Sequence, residues 1–178
     1  MRRPMTPDEP TVLLTEEAIR RRVAELALRI SSDYAGVEEL LLVGILRGCF
    51  IFLADLSRLL TVPLSIDFVA LSSYDKSVTT GAVRLIMDLR TEIAGKHVLI
   101  VDDIVDTGYT LQYLIDALKT RKPASLKTCL LLRKREVFKL DRDIDYLGFD
   151  IPDVWVLGYG LDYDGRFRTL PYIGTVKT

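Results

Sequence analysis

Val98-Leu99-Ile100-Val101-Asp102-Asp103-Ile104-Val105-Asp106-Thr107-Gly108-Tyr109-Thr110 is the stretch from which the fold can be read. His97 to Val101 is a short, strongly β-branched run, the pattern of a strand buried on both faces. Three carboxylates follow, and then a Thr-Gly-x-Thr turn opens a helix through Leu111, Leu114, Ile115 and Leu118. Ligands of open α/β sheets lie at the carboxyl ends of strands, where this turn must sit. Backbone N–H groups at the helix start, with the hydroxyls of Thr107 and Thr110, form a cradle for a phosphate monoester. Asp102 and Asp103 are badly placed to help a phosphate and well suited to a vicinal diol or a metal. Phosphate donors beside diol acceptors describe a ribose 5-phosphate site. An Asp-rich turn that caps a helix needs no ligand. That reading weakens here because two adjacent acids end an apolar strand, where unpartnered charge is costly.

The neighbouring segments extend the same architecture. On the N-terminal side, Thr15 can cap a helix whose apolar residues Ile19, Val23, Leu26 and Ile30 recur at helical spacing. Leu40 to Val43 is a buried strand, Leu46-Arg47-Gly48 interrupts it, and Phe50 to Leu60 is helical. Leu64 to Leu71 reads as a strand, Ser72 to Gly81 as a mobile loop, and Val83 to Met87 as a strand. On the C-terminal side, Pro123 precedes a strand from Leu126 to Leu132, with short candidates at Tyr146 to Phe149 and Val154 to Leu157. Buried strands alternating with helices predict one α/β domain over residues 1–178, a parallel twisted sheet flanked by helices. The late short strands and the N-terminal segment are expected to form a small hood over the sheet's carboxyl end.

Composition narrows the function classes. The 178 residues carry 24 Lys and Arg against 25 acids, so the net charge of -1 gives no global nucleic-acid or membrane signature. An anionic ligand must therefore be held by local groups. Cys49 and Cys129 lie in apolar stretches without metal-ligand spacing and read as buried thiols in a reducing compartment. No apolar run is long enough to span a bilayer, and Met1 to Pro10 has two arginines without the apolar core of a signal peptide. A cytoplasmic location is expected. Neither a P-loop nor a dinucleotide fingerprint is present.

Val98 to Leu111 resembles the phosphoribosyl pyrophosphate signature of type I phosphoribosyltransferases, and Asp106-Thr107-Gly108 is similar to its hypoxanthine-guanine branch. Leu46-Arg47-Gly48 matches that family's pyrophosphate loop and Ser73-Tyr74 its flexible lid. Lys134, Trp155-Val156, Asp162 and Phe167-Arg168 fall, in order, where its base-binding and second phosphate-binding segments occur. Two departures stand out: Asp102 where the branch usually has Glu, and Arg47 where Lys is frequent.

The resemblance implies transfer of a phosphoribosyl group to hypoxanthine or guanine, and gives each residue a role. Arg47, Gly48, Ser73, Tyr74, Asp102, Asp103, Asp106, Thr107, Gly108, Tyr109, Thr110 and Arg168 would bind phosphoribosyl pyrophosphate, with a cis bond after Leu46. Asp106 would be the general base, although capping the helix is its plainer use. Lys134, Trp155, Val156 and Asp162 would bind the purine. Without the resemblance, Trp155 is a core aromatic and Lys134 a surface cation in the run Arg133-Lys134-Arg135. Mg²⁺ would be held by Asp162, Asp102 and Asp103, in keeping with its preference for a few carboxylate and phosphate oxygens. Asp164 and Arg166 serve equally as turn charges, and His97 as a structural residue. The implied partners are small molecules and further copies of the chain, as a homodimer or homotetramer. A second reading is an RNA-binding pyrimidine regulator, or uracil phosphoribosyltransferase, of the same fold. Its signature usually lacks an acid at the position of Asp106, and no basic surface is evident in this chain.

Overall fold

The computed structural model describes residues 10–73 and 83–176. In chain order the elements are β1 (Thr11–Leu14), α1 (Glu16–Asp33), β2 (Leu40–Leu46), α2 (Phe50–Leu59), β3 (Leu64–Ser73) and β4 (Val83–Met87). Then come β5 (His97–Val105), α3 (Tyr109–Lys119), β6 (Ser125–Lys134), β7 (Tyr146–Ile151), β8 (Val156–Leu157) and β9 (Ile173–Thr175). Six strands form the main sheet in the order β4-β3-β2-β5-β6-β7. All its neighbouring pairs are parallel except β3 with the edge strand β4. A second, antiparallel sheet has the order β1-β9-β8.

Strand alternation explains why β2 is apolar without interruption. Leu40 and Leu42 face a core built with Ile19, Val23 and Leu26 of α1 and Phe52, Leu53 and Leu56 of α2. Leu41 and Val43 point the other way, toward Leu114, Ile115 and Leu118 of α3. Both faces are covered, so each strand position must be apolar. The first helix begins as the sequence predicts: Thr15 Oγ1 accepts the N–H of Ala18 at 3.2 Å.

Chain connectivity reverses at β2. From there the chain crosses to β3 on one side, then returns to β5 on the other and continues outward through β6 and β7. This switch point lies between β2 and β5, where an α/β sheet opens a crevice. The two strands stay paired only from Leu40↔His97 to Gly44↔Val101. Beyond that register, β5 continues with β6 alone, as far as Val105↔Arg133.

Five expectations need correction. The strand expected to stop at Val101 runs on to Val105 because β6 supplies backbone partners, so Asp102 and Asp103 lie inside a strand. Tyr146 to Phe149 is not part of the hood: it belongs to β7, the far edge of the main sheet. The strand expected at Val154 is confined to Val156 and Leu157, after a turn in which Val154 N–H donates to Pro152 O. Finally, β1 and β9 were not foreseen as strands; Thr11↔Thr175 and Leu14↔Ile173 pair them. Ser72 and Ser73, expected in a loop, end β3, and Ser73 pairs with Val83. Tyr74, the rest of that loop and most of the expected polar arm lie outside the described residues.

Candidate active site

Three segments meet at the switch point. The first is the turn after β2, where the Leu46-Arg47 peptide bond is cis. It brings Arg47 to the surface and presses Gly48 against the end of β5. A methyl group built on Gly48 would overlap the Asp103 carboxylate, and one built on Gly160 would overlap the Gly48 carbonyl. Only a bare Cα lets the β2 turn fit between the acid on one side and the hood segment on the other.

The second segment is the end of β5 and the turn into α3. Asp103 is buried, and its N–H donates to Asp102 Oδ1 at 3.0 Å. Burial, and then the charge of Asp103, pushes the Asp102 carboxyl well above the usual carboxylate range. Burial raises Asp103 as well, against the hydrogen bond from Asp102 and the more distant charge of Arg168. The helix that follows has Gly108 as its N-cap, in the left-handed region with φ +92°, and makes no side-chain capping bond. The capping use of Asp106 is therefore not what the structure shows. Asp106 instead faces Lys134, with Nζ 3.0 Å from Oδ1. Thr107, Tyr109 and Thr110 stand around the first turn of α3, whose first N–H groups have no partner within the helix.

The third segment is the hood with its approaches. Lys134 closes β6, and its Nζ also lies 3.1 Å from Asp153 Oδ1. Burial, the strongest influence on this ammonium, lowers its pKa; the hydrogen bonds to Asp106 and Asp153 together outweigh it and raise the net value. With a side chain only 13% exposed, Lys134 is not the surface cation that its basic neighbours suggest. Trp155 is 56% exposed and is not a core aromatic. Its ring meets Tyr163 edge-on, with centroids 6.2 Å apart. Arg168 donates to Gly160 O at 2.7 Å and pairs with Asp162 at 2.6 Å, while Gly165 N–H donates to the other Asp162 oxygen.

Together these segments enclose a cleft of ≈ 410 Å³. Its lining includes Arg47, Gly48, Asp103, Asp106, Lys134, Trp155, Val156, Asp162 and Arg168, nine of the residues singled out from the sequence. Asp102 and the turn 107–110 stand beside the cleft and do not line it. Leu46, Ile104 and Leu161 also line it, and Asp153 supports it; apolar flanks and a polar turn gave no chemical signal in the sequence. A second cleft of ≈ 500 Å³ lies between α1, α2 and Thr169 to Pro171. It is mainly apolar, and its Asp55 is already bound by the Tyr159 hydroxyl at 2.7 Å. Arg47, Gly48, Asp103, Asp106, Lys134 and Arg168 all line the first cleft and not this one. His97 is structural, with Nδ1 2.8 Å from Ser125 Oγ. Asp164 and Arg166 belong to a tight turn closed by Tyr163 and Arg166. Both cysteines are buried free thiols, pushed up by desolvation. Among the described residues, no helix is long and apolar enough to cross a membrane.

The acid pair gives a first testable consequence. Carboxyls whose pKa rises on folding bind protons more readily folded than unfolded. Their ionisation therefore costs stability above the raised pKa, and the cost fades as pH falls toward the ordinary carboxylate value. Asp102→Asn removes that cost and keeps an acceptor for the Asp103 N–H. Its Tm should rise at neutral pH, by about 2–4 °C for roughly 1 kcal/mol in a chain of this size, and the gain should shrink in acid. Thermal melts at several pH values check this.

Comparison with known proteins agrees with the geometry. Residues 11–164 match the family model for the phosphoribosyl transferase domain. A hypoxanthine-guanine phosphoribosyltransferase of Dictyostelium discoideum is 47% identical over 170 residues, covering 93% of this chain and 94% of that protein. A hypoxanthine phosphoribosyltransferase of Haemophilus influenzae is 46% identical, with 93% and 94% covered. The crystal structure of a hypoxanthine-guanine phosphoribosyltransferase from Bacillus anthracis superposes with a TM-score of 0.89 at 43% identity, covering 93% of this chain and 98% of that one. A cleft at the β2–β5 switch point, a family model that matches residues 11–164 and relatives alike over nearly the whole chain leave one assignment: this chain belongs to the phosphoribosyltransferase family, in its hypoxanthine-guanine branch.

Proposed function

We propose that the protein is a purine-salvage enzyme, a pentosyltransferase that joins phosphoribosyl pyrophosphate to hypoxanthine or guanine. The products are IMP or GMP and pyrophosphate. One observation carries the substrate assignment: the shielded ammonium of Lys134 pairs with Asp106 in a cleft that the exposed ring of Trp155 also lines. A planar base stacks on the ring, its 6-oxo group accepts from the ammonium, and a ring N–H faces the carboxylate.

In the transfer, a purine nitrogen bonds the anomeric carbon as that carbon's bond to pyrophosphate breaks. The proton that the purine ring must lose goes to Asp106, acting as general base. The main chain at Val156 meets the base edge. Thr107, Thr110 and the first N–H groups of α3 hold the 5-phosphate. Asp102 and Asp103 accept from the ribose hydroxyls, and Arg47, Gly48 and Arg168 hold the pyrophosphate. By the family resemblance, Ser73 and Tyr74 would contribute to holding phosphoribosyl pyrophosphate.

Mg²⁺ fits the donor set. Asp102 and Asp103 are hard oxygen donors whose charge is incompletely balanced, as their raised proton affinity records. Asp162 is a third, partly neutralised by Arg168. Among the described residues no group of three or more such side chains forms a metal cage. That suits an ion that keeps waters and leans on substrate oxygens. When bound, Mg²⁺ neutralises and orients the leaving pyrophosphate. A cytoplasmic location, action as one domain, and assembly into dimers or tetramers belong to the same proposal.

A substrate panel tests it. Phosphoribosyl pyrophosphate and Mg²⁺ are incubated with each purine and pyrimidine base, and nucleotide formation is read. Hypoxanthine and guanine should react, and chelation should abolish turnover. Silence with both bases removes the assignment; full turnover after chelation, with trace metal excluded, removes Mg²⁺. The alternative RNA-binding pyrimidine regulator is not favoured, since the relatives described above carry the purine-enzyme name. RNA binding dependent on a pyrimidine nucleotide would reinstate it.

A further inference from the structure

Lys134 is held by two carboxylates from two separate segments. Asp106 comes from the turn after β5, at 3.0 Å, and Asp153 from the turn between β7 and β8, at 3.1 Å. An ammonium has three donors and no acceptor. Two donors are engaged, and one remains for the cleft that Lys134 lines. Among the described residues these are its two ion-pair partners. Other charges have partners of their own or line the same cleft: Arg133 is bound to Asp150 and Arg168 to Asp162, and Arg47 and Asp103 are part of the lining.

Asp106 serves two partners under the proposed function. It must face the base with one oxygen while the other is held 3.0 Å from the ammonium, which could otherwise settle across both. A second anchor prevents this. Asp153 is placed to be one: Lys134 pairs with Ile151 across β6 and β7, and Arg135 N–H donates to Ile151 O. Pro152 then turns the chain, with the Val154 N–H donating to the Pro152 carbonyl at 2.9 Å. Trp155 follows two residues after Asp153. One short turn thus sets both the lysine and the aromatic wall of the cleft.

We propose that Asp153 is a positioning residue that shares Lys134 with Asp106, keeping one ammonium donor aimed into the cleft while Asp106 retains its capacity to accept a proton. This deepens the reading of the site as one for 6-oxopurine bases and rests on it.

Wild type, Asp153→Ala and Asp153→Glu decide the matter. The Asp153 side chain is 47% exposed, so truncation leaves no buried hole. In Asp153→Ala, KM for hypoxanthine and guanine should rise about 10-fold or more and kcat should fall, the scale of one lost charged hydrogen bond. KM for phosphoribosyl pyrophosphate should hold, and Asp153→Glu should recover most of the loss. Unaltered base kinetics, or equal rises in KM for both substrates, overturn the proposal. A crystal structure of Asp153→Ala adds a readout that needs no turnover: the Lys134 ammonium should have swung onto Asp106. An ammonium still at its bridging position overturns the proposal as well. If wild type fails the substrate panel, the purine reading falls, and the position of Lys134 still decides whether Asp153 holds it.

Discussion

Wild-type protein should use hypoxanthine and guanine roughly 10⁴–10⁵ times more efficiently than adenine, the discrimination reached by sites built to hydrogen-bond one substrate group. Adenine carries a 6-amino donor where the other two bases carry an acceptor. Against Lys134 it meets a donor with a donor. The two carboxylates that grip Lys134 keep it charged: their hydrogen bonds raise its pKa against the opposing effect of burial. The ammonium therefore cannot readily deprotonate to suit adenine, and its third donor is left without a partner in a shielded place. Lys134→Ala should damage use of hypoxanthine and guanine far more than it weakens binding of phosphoribosyl pyrophosphate. Kinetic constants for all three bases check both statements. Comparable adenine turnover, or an unchanged Lys134→Ala profile, removes Lys134 from base selection.

Asp106→Asn should lower kcat by about 10²–10⁴-fold, the usual worth of general acid–base catalysis. The substitution is close to isosteric, and the amide oxygen can still accept from Lys134, which also keeps Asp153. Because Gly108, and not Asp106, is the N-cap of α3, the phosphate turn should survive. Binding of phosphoribosyl pyrophosphate, measured by calorimetry, should be near normal while turnover collapses. Normal turnover in the variant would reduce Asp106 to a tether for Lys134.

Much of this was legible because burial writes itself into sequence. The uninterrupted apolar runs of β2 and β5 could only be strands covered on both faces, and the acids ending one of them needed a purpose. Cross-sheet consequences were less visible. Where β5 stops depends on β6 offering partners as far as Arg133, which no local pattern in Ile104-Val105 records. β7 read as a hood strand because six residues carry no mark of which sheet they join. Trp155 and Lys134 misled in opposite directions when read alone: an aromatic suggested the core but stands exposed, and a cation amid basic neighbours suggested the surface but is shielded. The family signature corrected both. Asp153 stayed hidden, since its significance lies wholly in reaching a residue on another strand.

Among the described residues, the hood sheet joins β1 to β8 only through β9. During synthesis, β1 must therefore wait for a segment made long after it. Until Ile173 to Thr175 emerge, the nascent chain can assemble its large sheet, yet nothing ties β1 to the segment that carries Trp155 and Arg168. A polypeptide stalled before residue 173 would lack the strand that links β1 to β8.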